Sequence, residues 1–299
     1  MLNIIGYRKF FFAFSGIMII LSIAALAKWN LNYSIDFTGG AVSEITFSAA
    51  PDVKAIKEVL EKPDKGFDIG NPTVTPTGSN SVFIKTKTLD EETHQKMLAA
   101  LSGKFKDAKE IRFDSIGAVI GQEMKQKSIW AIIMVAVGIS LYVAWAFRKV
   151  TRPISSWKYG VVSVVTMFHD IIVPVGLFAY LGHYADVQVD LTFIVAVLTI
   201  LGYSINDTIV VFDRTRENLL RYNIKEFEET VNRSLNQTLI RSINTSLTVI
   251  IILVSLYFFG GETLKYFALA LLVGVVVGTY SSIFIASPLL VEWHKRSAK

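Results

Sequence analysis

The sequence predicts an α-helical integral membrane protein with six transmembrane helices in a 1+5 arrangement and a small α+β domain between the first helix and the second. Composition is the first observation: 52% of residues are hydrophobic, 18% are charged and the mean hydropathy is +0.46, whereas soluble domains carry about a quarter charged residues. The second is spacing. Stretches at 10–27, 128–147, 158–181, 190–212, 242–260 and 266–290 are each long enough to cross about 30 Å of hydrocarbon, which takes roughly 20 helical residues.

Lys and Arg give the orientation, because short cytoplasmic loops collect them. With the N-terminus inside, the cytoplasmic side holds Arg8 and Lys9, then Arg148, Lys149, Arg152 and Lys158. Arg214, Arg216, Arg221, Lys225, Arg233 and Arg241 follow, and then Lys295, Arg296 and Lys299. The loops at 182–189 and 261–265 offer only Lys265. Both termini are therefore expected in the cytoplasm. Trp29, Trp130, Trp145, Trp157 and Trp293 mark span edges, as interfacial aromatics do. Arg8 and Lys9, an apolar run and Ala25-Leu26-Ala27 also fit a cleaved secretory signal. The run is long for that and closes on Trp29, so it reads as a retained span.

The net charge of +5 and the pI near 9.2 follow from the same loops. Between 29 and 127 acidic and basic residues nearly balance, so no basic face is offered to nucleic acid. The chain has no Cys, which removes thiolate-metal and disulfide arguments, and its four His are scattered without ligand spacing. No metal, bound cofactor or nucleophile-base pair is expected, and no enzyme.

The segment 29–127 has the length of one small domain. Val42 to Ser48 alternates like a strand, and Asp52 to Glu61 has helical spacing at Val53, Ile56 and Leu60. A loop rich in Gly, Pro and Thr runs from Gly66 to Asn80 and contains a strand expected at 69–75. Ser81 to Thr86 is strand-like, Asp90 to Leu101 helical, and Ala108 to Ser115 strand-like again. The order βαββαβ predicts a ferredoxin-like sandwich. The domain boundaries are 1–28, 29–127, 128–291 for a five-helix bundle, and 292–299 for a cytoplasmic tail.

The polar residues inside the spans carry the functional expectation, because an ionisable group at that depth costs several kcal/mol unless it is paired, neutralised or wet. Leu201 to Asn218 reads LGYSINDTIVVFDRTREN, which sets Asn206 and Asp207 inside an apolar run. Tyr203, Ser204, Asp207 and Thr208 share one side of the fourth helix, and Arg241, Asn244, Thr245 and Thr248 share one side of the fifth. In the third, Thr166, His169 and Asp170 lie midway, and since adjacent residues point about 100° apart only one of the last two is expected to face the cluster squarely. The stripes are expected to turn toward one another, away from lipid. Burial favours a neutral carboxyl group and a nearby cation favours the charged one, so a carboxylate with a movable guanidinium can bind and release a proton. The plainer alternative is that Asp207, Asn206 and Arg241 fasten helices together.

These residues resemble the SecF family, the smaller membrane subunits of the SecD-SecF complex. The string GYSINDTIVVFDRTREN at 202–218 carries the resemblance, with Ile35-Asp36-Phe37-Thr38-Gly39-Gly40, His169-Asp170 and Arg241-Ser242-Ile243-Asn244-Thr245-Ser246. The resemblance implies membership of the RND superfamily, whose proton-driven machines join two halves of this layout. It implies SecD as the other half, the SecYEG channel with SecA and YidC/YajC nearby, a translocating polypeptide, and a bacterial inner membrane. It also implies Asp207 as proton carrier, Arg241 as its counter-charge and H⁺ as coupling ion. Half of an RND-type exporter for small molecules or lipids, or an assembly subunit without proton transport, are the alternatives.

Smaller features read more plainly. Gly274 and Gly278 form a GxxxG helix-contact signal, and Gly39 and Gly40 permit a turn into the first strand. Phe227 to Leu239 is amphipathic and either lies along the interface or opens the fifth span.

Overall fold

The computed structural model describes residues 1–61, 66–148, 154–221 and 227–297. Lys149, Arg152, Lys225 and Lys299 from the basic inventory lie outside the described residues. A 3₁₀ turn Ile5–Tyr7 leads into α1 (Arg8–Trp29), followed by α2 (Ile35–Thr38), β1 (Gly40–Thr46), α3 (Val53–Glu61), β2 (Thr73–Thr77), β3 (Ser81–Thr86), α4 (Glu91–Lys104) and β4 (Lys109–Ile116). Then come α5 (Ala118–Ala146), α6 (Ser156–Ala185), α7 (Leu191–Arg221), α8 (Phe227–Phe259), α9 (Glu262–Ser281), a π-helical turn Ser282–Ala286, and α10 (Ser287–Ser297). Two compact units result, Met1–Asn32 with Trp130–Lys299, and Tyr33–Ile129.

Six helical stretches among the described residues are long and apolar enough to span a membrane, so the chain is a multi-pass membrane protein. The α6 and α7 spans and the last one, Leu264–Ser297, bury 56%, 50% and 61% of their most apolar stretch within the chain. The α1, α5 and α8 spans bury only 17%, 6% and 17%, so these three form the periphery. At 30 residues a helix is about 45 Å long, more than the hydrocarbon thickness, so these helices continue past it. Phe227 to Leu239 is accordingly no separate interfacial helix. It forms the first turns of α8, where Thr230, Val231, Ser234 and Leu235 are buried. An aromatic group closes that end of the core: Phe147 stacks on Tyr159 at 5.1 Å, and Phe212 meets Tyr159 edge-on at 5.1 Å.

In the smaller unit the strands pair in the order β2-β3-β1-β4, each pair antiparallel, with a bulge in β4 at Ile111, opposite Glu44 and Ile45 of β1. Alternation in β1 buries Ala41 and Ile45, which join Val82 and Ile84 of β3, Ile56 and Leu60 of α3, and Met97 and Leu101 of α4. Pro76 is tolerated because β2 is an edge strand, where a missing N–H breaks no ladder. The strand expected at 69–75 thus begins four residues later, at Thr73. Helix α2 went unanticipated, since four residues give no periodicity. Ser34 caps it by accepting from Asp36 N at 3.2 Å. Gly39 ends it at φ 74°, and a Cβ there would lie 2.5 Å from Ala118 Cα, so both the backbone angle and the contact with α5 demand glycine. On α4, His94 is buried, its Nε2 2.9 Å from Glu110 Oε1 and its ring stacked 3.7 Å from Phe113.

Candidate functional site in the membrane unit

Helices α6, α7 and α9 approach closely enough to turn their small polar residues inward. In α9 and the π turn the run Gly278-Thr279-Tyr280-Ser281-Ser282 has few bulky apolar side chains, and the wide π turn that follows rotates the succeeding side chains relative to a regular helix. Gly278 lets α9 sit against Ser204, where an added Cβ would lie 2.9 Å from Ser204 Cβ. Pro174 of α6 lacks an N–H, so the carbonyl of Asp170, one turn before it, is left without its helical donor.

Asp170 is the hub. It is 0% exposed, and its Oδ2 accepts hydrogen bonds from Ser281 Oγ at 2.8 Å and from Ser204 Oγ. Its Oδ1 lies 2.9 Å from His169 Nδ1. His169 is equally enclosed, with Nε2 buried and without a partner among the described residues, and the ring 6.2 Å from that of Tyr280. Both residues therefore face inward, against the expectation that only one would. The reason is that α6 is covered on most of its circumference, so a 100° offset still lands inside the bundle. Tyr280 continues the network by donating to Phe11 O at 3.0 Å and accepting from Ser15 Oγ at 3.2 Å.

Asp207 lies one turn of α7 beyond Ser204 and is 5% exposed. Its Oδ1 accepts from Ser242 Oγ of α8 at 3.3 Å, while Oδ2 is buried without a partner among the described residues. Around it runs a second set of hydroxyls: Ser246 lies 2.5 Å from Thr279 Oγ1, and Tyr203 donates to Ser246 at 3.3 Å. Thr208 donates to Ser282 Oγ at 3.2 Å and Ser282 to the Ser204 carbonyl at 3.4 Å, which adds α7–π-turn bonds on the Asp170 side, one turn of α7 from Asp207. Thr166, also buried, returns its hydroxyl to the Val162 carbonyl.

The fifth-span stripe is placed differently from its expectation. Arg241, Asn244, Thr245 and Thr248 are exposed, and the buried side of α8 carries Ser234, Thr238, Ser242 and Ser246. Both sets obey helical spacing. The hydroxyl set wins the inward position because small side chains let α8 and α9 pack closely, which a guanidinium would prevent. Arg241 makes no ion pair with Asp207 among the described residues. Asn206 is likewise exposed, about 100° around α7 from Asp207. Sequence reasoning missed Ser242, Ser246, Thr279, Ser281 and Ser282. The small polar run 278–282 was the available signal for three of them.

Fold and site together define a multi-pass membrane protein whose central helices enclose two carboxylates, with a folded α+β unit of about a hundred residues between its first two spans. Residues 96–296 match the family model described as protein export membrane protein SecD/SecF, C-terminal. The protein translocase subunit SecF of Thermobaculum terrenum is 41% identical over 99% of this chain and 95% of its own length. SecF of Anaerolinea thermophila is 40% identical over 100% and 99%. The crystal structure of SecDF, a translocon-associated membrane protein from Thermus thermophilus, superposes with a TM-score of 0.84 at 35% identity, covering 99% of this chain and 39% of that one. The chain belongs to the SecF family of protein-export membrane proteins.

Proposed function

We propose that this chain is the SecF-type subunit of a protein translocase, pairing with SecD and using the proton-motive force to promote export of polypeptide through a SecYEG-type channel, with SecA and YidC/YajC nearby. Asp207 is the proton carrier. The observation that carries this is its Oδ2: a buried carboxylate oxygen without a partner among the described residues, beside a carboxylate whose hydrogen bonds are filled. A proton has a place on the first and competes with existing bonds on the second. Ser242, Ser246 and Tyr203 make the surroundings of Asp207 polar, and moving one charge through 100 mV yields about 2.3 kcal/mol.

Arg241 is the counter-charge, and its exposure supports a second chain. An outward guanidinium and Asn244 in a span face hydrocarbon at a cost of kcal/mol each unless another polar surface covers them. The sparsely covered α1, α5 and α8 spans leave room for one. The SecDF relative is longer than this chain, which spans 39% of it, and its name joins both halves in one polypeptide. SecD therefore completes a 1+5 plus 1+5 assembly in this reading. The βαββαβ unit, with strand order β2-β3-β1-β4, is a ferredoxin-like domain that projects outside the cytoplasm and engages the emerging polypeptide. Both termini are cytoplasmic in a bacterial inner membrane, and no bond-making catalysis or bound cofactor is involved. The test is Asp207→Asn in inverted vesicles: gradient-stimulated export is lost while SecD still copurifies. Undiminished stimulation rejects the proton role.

A further inference from the structure

At the end of the bundle where α1 begins and α10 finishes, a groove of ≈560 Å³ opens between the two helices. Its floor is apolar, made by Phe12, Leu289 and Trp293, and its rim carries Lys9 and Arg296. The half-buried Arg8 beneath the rim is committed: it bonds Glu228 at 2.8 Å and Glu292 at 3.3 Å, and so pins α1 to α8 and α10. Lys295 also pairs with Glu228. The two carboxylates are thereby satisfied and outnumbered by the surrounding cations. Lys9 is exposed and has no ion pair among the described residues. Arg296 reaches Glu292 at 3.2 Å, but its side chain is 79% exposed, and an ion pair so wet is readily exchanged.

Depth is set by aromatic rings. Trp293 meets Trp157 edge-on at 5.2 Å, and Lys158 lies 5.5 Å above the Trp293 ring while donating to Ser297 Oγ at 2.9 Å. Tryptophans at the end of membrane spans mark the headgroup level. The groove therefore offers cations at headgroup height and an apolar wall directly below them. A soluble anion would use only the cations, and a neutral lipid only the wall.

We infer that this groove is a binding site for an anionic phospholipid, its phosphate held between Lys9 and Arg296 and one acyl chain lying along Phe12 and Leu289. Basic pockets between spans hold lipid headgroups through the same combination of charge and apolar contact. The site is independent of the proton-carrier reading, since it shares no residue with the Asp207 network.

Native mass spectrometry of the full chain in mild detergent tests it, with dioleoyl phosphatidylglycerol and dioleoyl phosphatidylcholine added in turn. The wild type should retain phosphatidylglycerol in preference. Lys9→Gln with Arg296→Gln should weaken phosphatidylglycerol binding by about 30-fold, because neither rim cation then remains to hold the phosphate, and weaken phosphatidylcholine less, since its choline ammonium already offsets its phosphate. Lys9→Arg with Arg296→Lys, which keeps both charges, should bind as the wild type does. Equal retention of the two lipids by the wild type, or undiminished phosphatidylglycerol binding by the double Gln variant, overturns the assignment. Displacement of the lipid by millimolar inorganic phosphate would overturn it too, by showing a site for a soluble anion.

Discussion

Ser242 reaches Asp207 from the neighbouring helix at 3.3 Å, and this is the carboxylate's sole hydrogen bond among the described residues. Asp170, by contrast, is held by Ser204, Ser281 and His169. The two buried acids differ in how much structure depends on them, and a pair of substitutions should separate the roles. Asp170→Ala takes the acceptor from Ser204 and the partner from His169 Nδ1, each worth about 1–3 kcal/mol, while Ser281 keeps the Gly278 carbonyl at 3.0 Å. Thermal unfolding in detergent should show a loss of roughly 3 kcal/mol or more. Asp207→Asn keeps an oxygen that can accept from Ser242 and should cost less than about 1 kcal/mol. Equal destabilisation by the two would mean that Asp207 is structural as well.

The Ser204 bond to Asp170 depends on how closely the last span approaches. A Cβ on Gly278 would come within 2.9 Å of Ser204 Cβ and 3.2 Å of its Oγ, and must push that hydroxyl away from Asp170. Gly278→Ala should therefore lower stability by about 1–3 kcal/mol, the usual cost of overpacking. Combined with Ser204→Ala the penalty should be less than additive, because the clash and the lost bond involve the same residue. Simple additivity of the two in thermal unfolding would show that Gly278 acts elsewhere.

Much of this was legible in the sequence, and the misses have physical causes. The apolar runs and the strand at Ser81 to Thr86 follow from local pattern, which burial reinforces. Asp207 was visible because a carboxylate inside an apolar run has no inexpensive explanation. The direction of the α8 stripe was not, since helical spacing produced two polar faces and only packing decides between Arg241 and Ser242 for the inside. Ser281 and Ser282 were overlooked because hydroxyls are common in spans, and the π turn that follows Ser281 has no local signature. The covered circumference of α6, which brings His169 and Asp170 inside together, is a tertiary property with no trace in spacing.

The smaller unit makes a prediction about pH. Asp90 caps α4, and hydrogen bonds from Thr93, including its N–H at 2.9 Å, hold the Asp90 carboxyl below the usual carboxylate range. A depressed folded-state pKa stabilises above the unfolded value, near 3.9, and that contribution is lost as pH falls through the folded value. Amide exchange at the start of α4, corrected for intrinsic rates, should therefore accelerate as the pH drops below about 4. In Asp90→Asn, which still caps but does not titrate, the acid-side acceleration should shrink. An unchanged profile in the variant would assign the effect to other carboxylates.

Arg241 offers the sharpest division between what this chain does alone and what it does with a partner. Its side chain is exposed, so Arg241→Met removes no contact from the interior and should leave thermal unfolding of the isolated chain within about 0.5 kcal/mol of wild type. In the assembled translocase the same guanidinium is proposed to lie between two chains, acting on Asp207 through space. There the change should abolish gradient-stimulated export, to the same extent as Asp207→Asn, and the double variant should be no worse than either single one. Export by Arg241→Met at the wild-type rate would remove Arg241 from coupling. A large fall in the stability of the isolated chain would instead show that the guanidinium is anchored within this chain. In either case Ser242, the one side chain among the described residues that bonds Asp207, would become the first candidate for control of its proton.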